Sequence, residues 1–229
     1  MVPISDFFPR VIPHVAGCSE PLAAQAILDS AIEFCRTSLA VQEVLDPRDV
    51  VAGRAVYDAE LPPAQSAAAV MQVWFKGEPL APMPAGVAPA VPSLAGEEPR
   101  YFEGRYDAER FSIVLTPTPT RTEPGALVLK LALRPTRKAE ELAAPLLEDW
   151  AEPVVAGALG RLHSMPGQPF TDVAKGQMLL AQARRLALQA AVEAEGGRIR
   201  TSMRVAPLPF VGGRQRRCAV APCRRCLFP

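Results

Sequence analysis

Apolar and polar positions change period several times along the 229-residue chain, and each change marks a change of element. Ahead of residue 18, the apolar side chains of FFPRVIPHVAGC are spaced around Pro9 and Pro13, which predicts an extended lead-in rather than a helix. Ser19 then offers an N-cap, with Glu20 and Pro21 in the first turn, where a missing N–H costs nothing. The helix it opens runs to about Leu39. Leu28, Ala31, Ile32 and Cys35 share one stripe, widened by Ile27, Phe34 and Leu39.

Asp46-Pro47 closes that region, and β signals follow. Val50-Val51 and Ala55-Val56-Tyr57 flank Gly53-Arg54 as a short hairpin. VMQVWFK, residues 70–76, reads as a strand ending in the turn Lys76-Gly77-Glu78-Pro79, and the uncharged, aperiodic residues 81–96 read as a loop. Strict alternation then appears twice. Phe111, Ile113 and Leu115 form one run, and Leu127, Leu129, Leu131 and Leu133 the other, separated by PTPTRTEPG. This predicts an antiparallel hairpin with one buried leucine face.

Helical spacing returns after Pro135, with Thr136 as a cap. Leu142, Leu146, Trp150, Val154, Ala158 and Leu162 repeat every four residues, and Pro145 and Pro153 divide them into a short helix and a longer one. Residues 164–169, SMPGQP, form a turn. Thr171 or Asp172 caps a last helix to about Glu195, with Leu179, Leu180, Ala183, Leu186, Ala187, Ala190 and Ala194 as its stripe and Gly196-Gly197 as its stop. RIRTSMRV alternates like a strand, and past Pro207 an arm without its own core is expected.

The predicted architecture is α+β. A helical bundle of about three main helices (19–48 plus 135–197) carries a small inserted antiparallel β portion (49–134). Proline-rich extended arms flank it at 1–18 and 198–229.

Composition sharpens this picture at two points. Proline accounts for 25 residues, about twice the usual ~5%, which fits arms, edges and connections. The net charge of +1 conceals an uneven distribution. From Gly196 onward there are eight arginines and no acidic residue; the other 17 basic and 24 acidic side chains leave the body at −7. An acidic body with a basic tail implies a separate partner for the tail. Arg198, Arg200, Arg204, Arg214, Arg216 and Arg217 are its candidate contacts, with either acidic protein or DNA phosphates. No run of 18 apolar residues occurs, so no membrane span is expected. MVPISDFFPR lacks a basic segment ahead of an apolar one, so no secretory signal is expected and the five cysteines should be reduced.

Candidate chemistry is sparse. The two histidines, His14 and His163, have no nucleophile-elbow motif beside them, and HExxH, P-loop and GxGxxG motifs are missing from the sequence. No enzyme and no cofactor is therefore expected. Cys218, Cys223 and Cys226 give C-x4-C-x2-C, with zinc-like spacing in the second pair. A structural zinc site needs four ligands, and the tail supplies three and no histidine, so these remain weak metal candidates.

Several stretches taken together resemble a known family. FFPRVIPHVAGCSEPLAAQAILDSAIEFCRTSL, then VYDAELP and VMQVWFKGEPL, and later AEPVVAGALGRLHSMPGQPFTDVAKGQMLLAQARRLALQAA are similar to the head-to-tail adaptor proteins of tailed bacteriophages, over residues 7–205. The resemblance implies a structural virion protein, assembled in the host cytoplasm, that forms a ring, commonly a dodecamer, beneath the portal protein. Tail or nozzle proteins would attach below, and genomic DNA would pass through the lumen on ejection. It implies no catalytic residue. Two alternatives stand beside it: another tail-completion or tube-terminating component, and a cytosolic nucleic-acid-binding protein that uses the arginine-rich tail.

Overall fold

The computed structural model describes residues 1–84, 98–107 and 110–196. The N-terminal segment forms β1 (Val2–Pro3), a 3-10 turn over Ile4–Phe7, α1 (Phe8–Val11) and a second 3-10 turn over Ile12–His14. The expected extended lead-in is thus helical. Pro9 and Pro13 each stand in the first turn of a short helical segment, where no N–H is needed. The spacing of Ile4, Phe7, Val11 and Val15 buries all four on one face.

Helix α2 (Glu20–Ser38) starts at Ser19 and ends with Leu39 in the left-handed region at φ 51°. Next come β2 (Gln42–Val44), β3 (Arg48–Val50), β4 (Val56–Asp58), the 11-residue β5 (Gln65–Phe75), β6 (Glu78–Pro79) and β7 (Ala81–Pro82). They are followed by β8 (Tyr101–Asp107), β9 (Arg110–Thr116), the 13-residue β10 (Glu123–Pro135) and β11 (Glu141–Leu142). The chain then forms α3 (Ala144–Glu148), α4 (Ala151–His163) and α5 (Val173–Glu195).

The strands form three sheets: β1–β11; β2–β10–β5–β6, with β3 also on β10; and β4–β9–β8–β7. β7 runs parallel to β8, and every other pairing is antiparallel. The segment 78–83 joins the two larger sheets. Leu80 N–H donates to Val73 O at 2.9 Å on one side, and Ala81 N–H to Arg100 O at 3.0 Å and Met83 N–H to Phe102 O at 2.8 Å on the other. The result is a half-barrel. It encloses Val50, Val73, Ile113, Leu115 and the leucines of β10, from Leu127 to Leu133.

This architecture corrects the expected bundle of three helices with a small β insertion. Strand makes up 30% of the described residues and the β region has its own core, so it is a structural layer rather than an insert. The expected hairpin between residues 111–116 and 126–134 does not form either. β9 pairs with β8 and β4, and β10 with β5, β2 and β3, because the Pro-rich link 117–122 carries the chain from one sheet to the other. β3 and β4, on either side of Gly53, likewise join different sheets. Alternation reports that a strand has one buried face but not which strand it pairs with.

α2, α4 and α5 surround the second core, which also takes in Phe7, Val11 and Leu146. Their close approach depends on glycine. A Cβ at Gly157 would overlap the Ser30 side chain of α2, whose hydroxyl donates to Val154 O at 2.7 Å. A Cβ at Gly160 would lie 2.8 Å from Leu180 Cγ, and one at Gly176 would lie 3.0 Å from Gly160 O. The Asp172 carboxylate, one of the two caps the sequence offers, caps α5 by accepting from Lys175 N–H at 3.0 Å. α2 also packs against β10 and β5, which joins the helical layer to the half-barrel.

Candidate functional site

The six arm arginines singled out in the sequence, Arg198, Arg200, Arg204, Arg214, Arg216 and Arg217, lie outside the described residues, as do Cys218, Cys223 and Cys226. The expected strand after Gly197 and most of the apolar loop, 85–97, do so too. Among the described residues no group of three or more His, Cys, Asp or Glu could hold a metal ion. No described helix is long and apolar enough to cross a membrane.

The reactive side chains within the fold serve packing. His163 is buried at the end of α4, with Nδ1 2.7 Å from Phe170 O. Cys35 lies in the helical core, where burial pushes its thiol up to about 12, so it stays protonated and unreactive. Cys18 is half-buried, and burial raises its thiol as well.

Two surfaces remain that the fold builds and does not use internally. The first is the outer side of α5. This helix turns Leu179, Leu180, Ala183, Ala187 and Ala190 toward α2 and α4, five of the seven residues of the stripe read from the sequence. A second apolar stripe runs along the opposite side: Met178, Leu188 and Val192 are 62%, 60% and 71% exposed. At about 100° per residue these three fall in one sector roughly 80° wide, together with Ala174, Ala181 and Arg185. Beside this outer face, a groove of about 400 Å³ opens between α2, α4 and α5, with Phe34, Leu180 and Ala187 in its lining. The Arg161–Glu33 ion pair, which ties α4 to α2, stands at its wall.

The second surface is a polar cleft of about 670 Å³ on the half-barrel, bounded by β2, β3, β4 and residues 60–62. Glu43, Asp46, Asp49, Asp58 and Glu60 line it against Arg48 and Arg54, a net charge of −3. Tyr57 organises the turn beneath it. Its hydroxyl accepts from Val51 N–H at 3.1 Å and donates to Arg54 O at 2.7 Å, and burial pushes its pKa above the usual phenol range. Arg48 donates to Asp58 O at 2.6 Å and pairs with Glu60 at 3.1 Å. Arg54 donates to Val56 O at 2.8 Å and lies over the Tyr57 ring. Both guanidiniums are therefore committed, whereas Glu43, Asp46 and Asp58 carboxylates have no ion-pair partner among the described residues.

Sequence reasoning missed both surfaces. The outer stripe of α5 carries a signal, since Met178, Leu188 and Val192 recur at helical spacing, but the inner stripe already accounts for a buried face. The cleft gathers residues from three strands whose pairing alternation does not specify. Neither a protein-family model nor a curated protein matches this chain.

Proposed function

We propose that this protein is a structural virion component, an adaptor that assembles as a ring beneath a phage portal and connects the capsid to the tail. The observation that carries the reading is α5: a 23-residue helix with two apolar faces, of which the described residues cover one. A helix apolar on two sides is at home inside an assembly rather than on the surface of a monomer. The resemblance read from the sequence supplies the kind of assembly. The basic arm beyond Gly196 supplies the means of docking, its arginines pairing with acidic portal side chains or DNA phosphates.

Electron microscopy of portal rings incubated with the full-length protein tests this reading. The expected image has an added layer of density on the tail-side face of the portal, and a variant ending at Gly197 forms it more weakly and with less dependence on salt. Bare portal rings at saturating protein would overturn the reading. The eight arginines of the tail favour a second reading, direct nucleic-acid binding, in which DNA affinity falls steeply as salt rises and portal is ignored.

A further inference from the structure

Assembly leaves open which surface of the neighbouring copy covers the outer face of α5. We infer that this face docks into the acidic β2–β3–β4 cleft of a second copy of the same chain, a head-to-tail contact. The inference rests on the ring reading for its biological setting, but its physical basis is independent of portal.

Three observations lead to it. The first is the charge on α5. Arg184 and Arg185 stand in and beside the apolar stripe, and neither forms an ion pair among the described residues. Arg185 is the midpoint between Met178 and Val192. Two-fold pairing of α5 with itself would therefore bring Arg185 against Arg185, so the face selects against its own image and for a negative partner.

The second is the chemistry of the cleft. It is acidic where the middle of the outer α5 face, at Arg184 and Arg185, is basic, and it also offers apolar area. Val44, which lines it, is 56% exposed, and Val51 and Val56, at the ends of its strands, are exposed too. Two surfaces of one chain thus match in both respects, arginine against unpaired carboxylate and aliphatic against aliphatic.

The third is placement. α5 packs on α2 and α4 in the helical layer, whereas the cleft belongs to the half-barrel. A contact between two different patches is heterologous. Repeated from copy to copy it closes a ring when the rotation permits, which a two-fold dimer cannot do.

The test is sedimentation equilibrium of the full-length chain from about 10 μM to about 1 mM, at ~50 mM and ~500 mM salt. Wild-type protein is expected to gain mass above 24.6 kDa as concentration rises, less so at high salt. R184E/R185E and, separately, E43K/D46K/D58K should each associate about tenfold or more weakly. All five positions are exposed, so circular dichroism should show both variants folded. Mixing the two variants should restore association, because the reversed α5 face then meets a reversed cleft. The inference is overturned if R184E/R185E associates like wild type, if the mixture does no better than its components, or if wild type stays at the mass of one chain throughout. Portal binding separates this from the ring reading. Charge variants that still layer normally on portal would discard the contact and keep the ring; charge rescue by a protein that ignores portal would keep the contact and discard the ring.

Discussion

Gly160→Ala puts the packing of the helical layer to a quantitative test. On an exposed helix surface this change stabilises by about 1 kcal/mol, because alanine restricts the unfolded chain and favours the helix. At position 160 the added Cβ would stand 2.8 Å from Leu180 Cγ, 3.0 Å from Leu180 Cδ2 and 3.0 Å from Leu180 N. The leucine side chain can turn aside, but its backbone nitrogen moves only if α5 withdraws from α4. Overpacking of this kind costs about 1–3 kcal/mol, and a backbone contact places it near the upper end. Against the propensity gain the net loss is about 2 kcal/mol, or roughly 4–8 °C in Tm for a domain of this size. Thermal and urea melts followed by circular dichroism would read it. Leu180→Ala in the Gly160→Ala background removes the two side-chain contacts, so the double variant should lose less than the sum of the singles. A Gly160→Ala protein that melts at or above wild type would refute the reasoning, because the propensity term would then act alone.

Other perturbations follow from the same structure. Asp172→Ala removes the cap on α5 and should cost about 1 kcal/mol, read as a lower urea midpoint at unchanged slope. Leu131→Ala opens a cavity in the fully buried half-barrel core and should cost about 2–5 kcal/mol, with loss of cooperative unfolding if the two cores separate. Cys35 gives a pH prediction. Burial pushes its folded thiol from 9.0 up to about 12, so below pH 9 both folded and unfolded states hold the proton and stability does not depend on it. Between pH 9 and 12 only the unfolded chain releases that proton, so stability should fall as pH rises through this window. Cys35→Ala should flatten that part of the curve; an unchanged slope would show that another group sets it.

The sequence exposed some of this architecture and hid the rest for physical reasons. α2 and α5 are legible to within a residue or two because Ser19-Glu20-Pro21 and Asp172 mark their starts, and Gly196 the end of α5, through local chain geometry. The division into a short helix, α3, and a longer one, α4, is legible because Pro145 and Pro153 each stand in the first turn of a helix. The burial of Leu127, Leu129, Leu131 and Leu133 was legible from alternation alone. Sheet membership was not, since β9 and β10 look like neighbours along the chain and belong to different sheets. The helical lead-in is hidden because Pro9 and Pro13 signal a break inside a helix and permission at its start, and only the spacing of Ile4, Phe7 and Val11 tells the two apart. The surfaces proposed here for assembly were hardest to see. A second apolar stripe on a helix that already has a buried one adds no new secondary-structure signal, and an acidic cleft drawn from three strands has no linear motif.

The mass of the protein in solution, measured by light scattering with and without a candidate portal ring, tests the central claim most directly. The account expects a single chain of 24.6 kDa at micromolar concentration that joins the portal as many copies, close to one per portal subunit. A species of one or two chains that ignores portal and instead shifts on DNA at low salt would contradict it and leave nucleic-acid binding as the function of the basic arm.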